Sequence, residues 1–158
     1  LEQAYKFQPD WILQLDADEE LSDGAVRFLQ GRLDGQVSGY ELLQLNLWRD
    51  REHFRVDSKF WNNRFLRLWN ARRDLSFPSS FERRLHNRSF PEGAKRNSRA
   101  APNHAVVIHY AWDSPEKIKN KYELYKKHGQ RGWKLARLAD SDTVERCRVR
   151  DMQRKIQF

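Results

Sequence analysis

Two spacings of apolar residues alternate along this chain. Trp11-Ile-Leu-Gln-Leu15 is an almost wholly apolar run that follows Pro9-Asp10, a break in the helical character of Leu1 to Phe7. A run apolar on both faces predicts a short buried strand, of the kind found in parallel or mixed sheets covered by helices. From Tyr40 to Trp48, Leu43, Leu45 and Leu47 alternate with Gln44 and Asn46, the period-two pattern of a half-buried strand. Arg64-Phe-Leu-Arg-Leu-Trp69 predicts a third strand and Ala105-Val-Val-Ile-His-Tyr110 a fourth, short and buried. Helical spacing appears twice between these runs. Ser22 stands where a cap belongs, ahead of Val26, Leu29 and Leu33, with Gly35 and Gly39 at the exit. Asp113-Ser-Pro-Glu116 is a helix start, with Ser114 as cap and Pro115 in the first turn. Ile118, Tyr122 and Tyr125 then line one face, and Gly129 closes the helix.

The remaining segments are less regular. Asp50 to Asn63 is mixed and predicts a loop or excursion. Residues 70–103 carry Arg, Asn, Ser and Pro with little periodicity, a length of irregular chain that often forms a binding surface. The whole reads as an α/β fold, a mixed sheet flanked by helices, over residues 1–130, with a basic helical tail over 131–158.

Composition sharpens this picture. Charged residues make up 33% of the 158, yet aromatics reach 13%, so the chain is folded with a heavily charged surface. The net charge of +8 attracts anions without choosing among phosphates, nucleic acid, acidic glycans and lipid headgroups. A single cysteine, Cys147, excludes an internal disulfide and a four-thiolate zinc site, and is compatible with a reducing compartment. No apolar run approaches the roughly 20 residues of a membrane span.

The candidate chemistry begins where the first strand ends, at Asp16-Ala-Asp-Glu-Glu20. At a strand end Asp16 and Asp18 point to one side, roughly 6–7 Å apart. The carboxyl edge of an open α/β sheet is where ligands bind. Magnesium and manganese take oxygen ligands there, commonly one or two carboxylates plus substrate phosphates. The plainer alternative is a solvated loop whose acids favour the next helix N-terminus.

The stretch Trp11-Ile-Leu-Gln-Leu-Asp-Ala-Asp-Glu-Glu-Leu21 closely resembles the family-2 glycosyltransferases of the GT-A fold. Two later stretches extend the resemblance: Arg64 to Trp69 followed by His86, and Ile108-His-Tyr110 ahead of Ser114-Pro-Glu with Lys121 and Tyr122. It implies a metal-assisted, inverting transfer of a sugar from a nucleoside-diphosphate sugar to a hydroxyl on a glycan or lipid-linked acceptor. It further implies Mn²⁺ or Mg²⁺ held by Asp18 and Asp16, with His109 as a third ligand, and donor binding by Asp16, Asp18, Arg67 and His86. A cytoplasmic enzyme, at the inner face of a membrane where the basic late helix meets anionic lipid, is the expected setting. The family's opening nucleotide-binding half has no counterpart here, so the chain reads as the C-terminal part of a GT-A domain, inactive alone. Relatives carry His-Glu where this chain has His86-Asn87, and an amide cannot accept a proton. Glu82 is the nearest replacement as base, with pairing to Arg83 or Arg84 as the alternative.

Other residues admit two readings each. His109 is a ligand or a hydrogen-bonded core residue. Arg64, Arg67, Arg83 and Arg84 hold phosphates or decorate solvated faces. Trp48, Trp61, Trp69 and Trp112 stack on sugars or pack in the core. The rival function is a noncatalytic basic module that binds nucleic acid or another polyanion. No helix-turn-helix, zinc-finger or RNA-binding aromatic motif supports it, and the acids at 16–20 would repel a phosphate chain, so no nucleic acid is expected.

Overall fold

In the computed structural model, residues 2–57, 63–72, 90–91, 93–130, 132–139, 142 and 144–151 are described. The elements run α1 (Glu2–Tyr5), β1 (Trp11–Leu13), β2 (Glu19–Leu21), α2 (Asp23–Gln30), β3 (Gly39–Asn46), β4 (His53–Arg55), β5 (Arg64–Asn70), β6 (Ser98–Ala100), β7 (Val106–His109), α3 (Pro115–Lys127), α4 (Trp133–Ala139) and β8 (Arg146–Arg148). The leucine-rich strand β3 is the spine of a mixed sheet in the order β1-β5-β3-β7-β2. It pairs antiparallel with β5 on one side, and on the other runs parallel first to β6 and then to β7.

The period-two pattern sends alternate β3 side chains into different cores. Leu43, Leu45 and Leu47 pack with Phe54, Val56 and Val106 on one face. Tyr40 and Leu42 pack on the other with Leu68, Val107 and Ala25, under Phe28 and Leu29 of α2. Burial of each such large apolar side chain contributes about 1.5–3 kcal/mol, which is what commits both faces of this strand to the interior. A third cluster joins Trp48 and Trp112 to Ile118, Tyr125 and Leu138, fastening α3 and α4 beyond the end of β3.

Both predicted helix caps are present. The Ser22 side chain accepts from Ala25 N at 3.2 Å and that of Ser114 from Lys117 N at 3.2 Å, each relieving an orphan amide of the first turn. Gly129 adopts φ +66° just past α3, a conformation that glycine reaches without strain.

Three expectations need correction. The first strand stops at Leu13, and Glu19-Glu-Leu21, expected to lead into the helix, instead form β2. A turn closed by Glu19 N to Asp16 O brings these residues to the free edge of β7, where Tyr110 N donates to Asp18 O at 2.8 Å. The segment 50–63 contains β4, and β4 pairs antiparallel with β8 of the tail, Phe54 opposite Cys147. The tail therefore holds a strand as well as the helix α4, because β4 offers it a partner distant in sequence. Arg55 and Arg137 both engage Asp57 beside this small sheet. Among the described residues, no helix is long and apolar enough to cross a membrane.

Candidate carboxylate–imidazole site

The acidic turn between β1 and β2 lies over the polar part of the sheet face that also carries Leu42 and Val107. Alternation along β3 places Gln44 and Asn46 on that face, and register with β7 sets Asn46 opposite His109. Arg67 reaches the same place from β5. Gln44 and Asn46 are 7% and 2% exposed, so this polar patch is buried under the acidic turn.

Its contacts form a connected network. The Arg67 guanidinium grips Glu19, lies 3.5 Å from Asp16 Oδ2, and donates to Gln44 Oε1 at 3.1 Å. Glu19 Oε2 in turn accepts from Asp16 N at 2.9 Å, closing the turn that carries both aspartates. The Glu19 side chain is 1% exposed, and burial raises its pKa against the opposing pull of the Asp16 amide and Arg67. Gln44 Nε2 donates to Asn46 Oδ1 at 2.9 Å, and His109 Nδ1 lies 2.8 Å from the same oxygen. The other ring nitrogen, Nε2, faces Asp18 Oδ2 at 3.4 Å. Burial pushes the His109 pKa down to about 4, outweighing the pull of Asp18, so the ring is neutral near pH 7. Trp112 sets its edge against the imidazole at 5.0 Å between ring centroids.

His109 thus faces Asp18, and Asp16 lies in the same turn. The Nδ1 side of His109 sits among the buried amides of Gln44 and Asn46, and Nε2 faces the acidic turn. Arg67 is in the site too, but its guanidinium is committed to Glu19, Asp16 and Gln44, and a phosphate would compete with two carboxylates for it. Arg64 faces elsewhere. It donates to Ala101 O at 2.8 Å and Glu41 O at 3.3 Å and also engages Asn103, tying β3 to the segment after β6. Trp48 and Trp69 are core residues, 0% exposed. Glu82, His86, Arg83, Arg84 and Trp61 lie outside the described residues.

Two participants, Gln44 and Asn46, were not singled out from the sequence, and Lys121 was named there only as part of the late motif. Gln44 and Asn46 looked like the solvated half of an alternating strand; two amides in a row of leucines were the available signal. Lys121 is half-buried, its ammonium 4.9 Å over the Trp112 ring. Burial lowers its pKa while Asp18 and Asp16 pull the other way. Its place beside the buried stripe of Ile118, Tyr122 and Tyr125 could have marked it as turned inward.

Fold and site together define an α/β protein in which a curled mixed sheet, flanked by helices, presents a carboxylate–imidazole pair at the end of one face. No family model matches the chain, and no curated protein or solved structure matches it significantly.

Proposed function

We propose that this chain carries one wall of the donor site of a metal-assisted glycosyltransferase of the family-2, GT-A type. It would transfer a sugar from a nucleoside-diphosphate sugar to a hydroxyl of a glycan or lipid-linked acceptor. The observation that carries the reading is the approach of Asp18 Oδ2 to His109 Nε2 at 3.4 Å, a carboxylate facing a neutral imidazole. Among the described residues no group of three or more acidic, His or Cys side chains is arranged to hold a metal. The site therefore offers a divalent cation two protein ligands, Asp18 and His109, and leaves its other positions to water and the donor's phosphates. Asp16, more exposed and steadied by Arg67, is placed to hydrogen-bond the donor's ribose or the ion's water shell.

An ion bound there would offset the repulsion between these carboxylates and a diphosphate and stabilise charge on the leaving nucleotide. This chain's own residues position the donor. Glu19 and Arg67 hold the turn, Asp16 and Asp18 project from it, and Lys121 adds a half-buried positive charge beside it. In the transfer, the acceptor oxygen bonds to the anomeric carbon as the bond to the phosphate oxygen breaks. The hydroxyl proton passes to a base not assigned among the described residues.

Calorimetric titration of the chain with Mn²⁺ and a nucleoside diphosphate tests the reading. Each ligand is expected to tighten binding of the other, and Asp18→Asn to abolish the coupling. Salt-sensitive nucleic-acid binding that ignores Asp18→Asn, with no Mn²⁺–nucleotide coupling, would instead establish the polyanion-binding alternative.

A further inference from the structure

We propose that the groove between α3 and α4 seats the hydrocarbon chain of an anionic lipid, docking this face of the protein on a negatively charged membrane. The inference does not rest on the transferase reading, which concerns the acidic turn and His109.

Helices α3 and α4 are joined through Ile118, Tyr125 and Leu138, buried in one cluster with Trp48 and Trp112. The join is open on one side. Pro115, Ile118 and Tyr122 of α3 line a groove of about 240 Å³ with Leu138 and Ala139 of α4, and Lys119 completes its lining. Pro115, Ile118, Lys119, Tyr122 and Lys126 recur every three or four residues, so they share one side of α3. The Lys126 ammonium lies 6.0 Å over the Tyr122 ring, at the same wall. Neither Lys119 nor Lys126 is in an ion pair among the described residues, whereas Asp113 holds Lys117 of the same helix at 2.7 Å. An apolar trough edged by such cations is complementary to a molecule with a hydrocarbon chain and an anionic head. A nucleic acid would match the lysines and leave the apolar floor uncovered. The groove is also smaller than the roughly 300–1,000 Å³ of pockets for compact ligands, which suits a slender chain. The net charge of +8 draws the whole molecule to the same kind of surface.

The test uses the complete 158-residue chain and vesicles of phosphatidylcholine, with and without phosphatidylglycerol. Cosedimentation should show binding to the mixed vesicles and none to phosphatidylcholine alone. Each lysine held near an anionic surface contributes about fivefold, so Lys119→Gln/Lys126→Gln should weaken binding about 30-fold. Ala139→Trp, at an exposed position, fills the groove and should weaken it about 15-fold or more, as loss of two buried methylenes would. Lys6→Gln/Lys95→Gln, which removes the same charge elsewhere, should leave binding nearly unchanged. A second measurement needs no variant. Phosphatidylglycerol with a nitroxide on its acyl chain should broaden the amide signals of Ile118, Tyr122 and Leu138 in the ¹⁵N-labelled wild type. No binding to the mixed vesicles overturns the proposal, as does broadening confined to other residues. Equal losses from the two lysine pairs, or none from a folded Ala139→Trp, would show adsorption through net charge alone and overturn the groove. Perturbation of these residues by an acidic amphipathic peptide and not by vesicles would overturn the lipid in favour of a protein partner.

Discussion

Replacing Arg67 by methionine separates the stabilising role of the guanidinium from any role in binding. In the native protein the Glu19 side chain, 1% exposed, is held by Arg67 and by the Asp16 amide. Removing one partner of a buried ion pair typically costs about 3–5 kcal/mol, since the other charge stays buried. Glu19 can escape by taking a proton, and that escape sets a ceiling. Its native pKa already lies above the ordinary 4.5, so neutralising it costs at most about 4 kcal/mol at pH 7.5, and at most about 2 kcal/mol at pH 6. The contact with Asp16, whose side chain is 56% exposed, adds less than about 1 kcal/mol. The expected loss is therefore about 3–4 kcal/mol near pH 7.5, roughly 6–16 °C in Tm for a chain of this size. The sign of the pH dependence follows from the same carboxyl. Without Arg67 the folded state holds a proton on Glu19 that the unfolded state releases above about pH 4.5, so the deficit grows as pH rises and shrinks as it falls toward 5. Urea denaturation of wild type, Arg67→Met and Glu19→Gln/Arg67→Met between pH 5 and 8 measures this. The double variant should recover most of the loss, because an amide still accepts from Asp16 N. A deficit under about 1 kcal/mol, or one independent of pH and not repaired by Glu19→Gln, refutes the reasoning.

Three further outcomes are expected. His109 has a folded pKa of about 4 against an ordinary 6.5, so the unfolded state binds the proton first. Stability should be full above pH 6.5 and fall as pH drops toward 4, by about 3 kcal/mol in all, and His109→Gln should remove that part of the slope in urea midpoints. Gly24→Ala in α2 should destabilise by about 1–3 kcal/mol in thermal melts, although alanine is the better helix former. The added Cβ would lie 2.1 Å from the His104 carbonyl oxygen, which is backbone and cannot swing aside. Ser114→Ala should cost about 1 kcal/mol through loss of the α3 cap, seen as a lower urea midpoint at unchanged slope.

Much of the fold could be read locally. Ser22, Ser114 and Pro115 announced their helix starts, and the leucine alternation announced β3. Apolar runs announced β5 and β7, because each of these signals acts within a few residues of chain. What escaped depended on pairing at long range. Glu19 and Glu20 form a strand because β7 has a free edge, and Arg146 to Arg148 form one because β4 does. Neither stretch carries a strong strand pattern of its own. The site divides in the same way. Asp16 and Asp18 stood out as paired acids after an apolar run, whereas Gln44 and Asn46 looked like an ordinary polar face until the acidic turn covered them.

The sequence by itself determined an α/β chain with a charged surface, and it marked an acidic turn after a buried strand together with a late histidine beside apolar neighbours. Tertiary structure decided that these belong to one site. It set Asn46 opposite His109 in register, brought Arg67 from β5 under the turn, and aimed Nε2 at Asp18. Hydrophobic periodicity is a local property that survives in the sequence. Strand order, register and the direction of a hydrogen bond depend on residues far apart in the chain, such as Glu20 and Tyr110, 90 positions apart, and exist only once the sheet has formed.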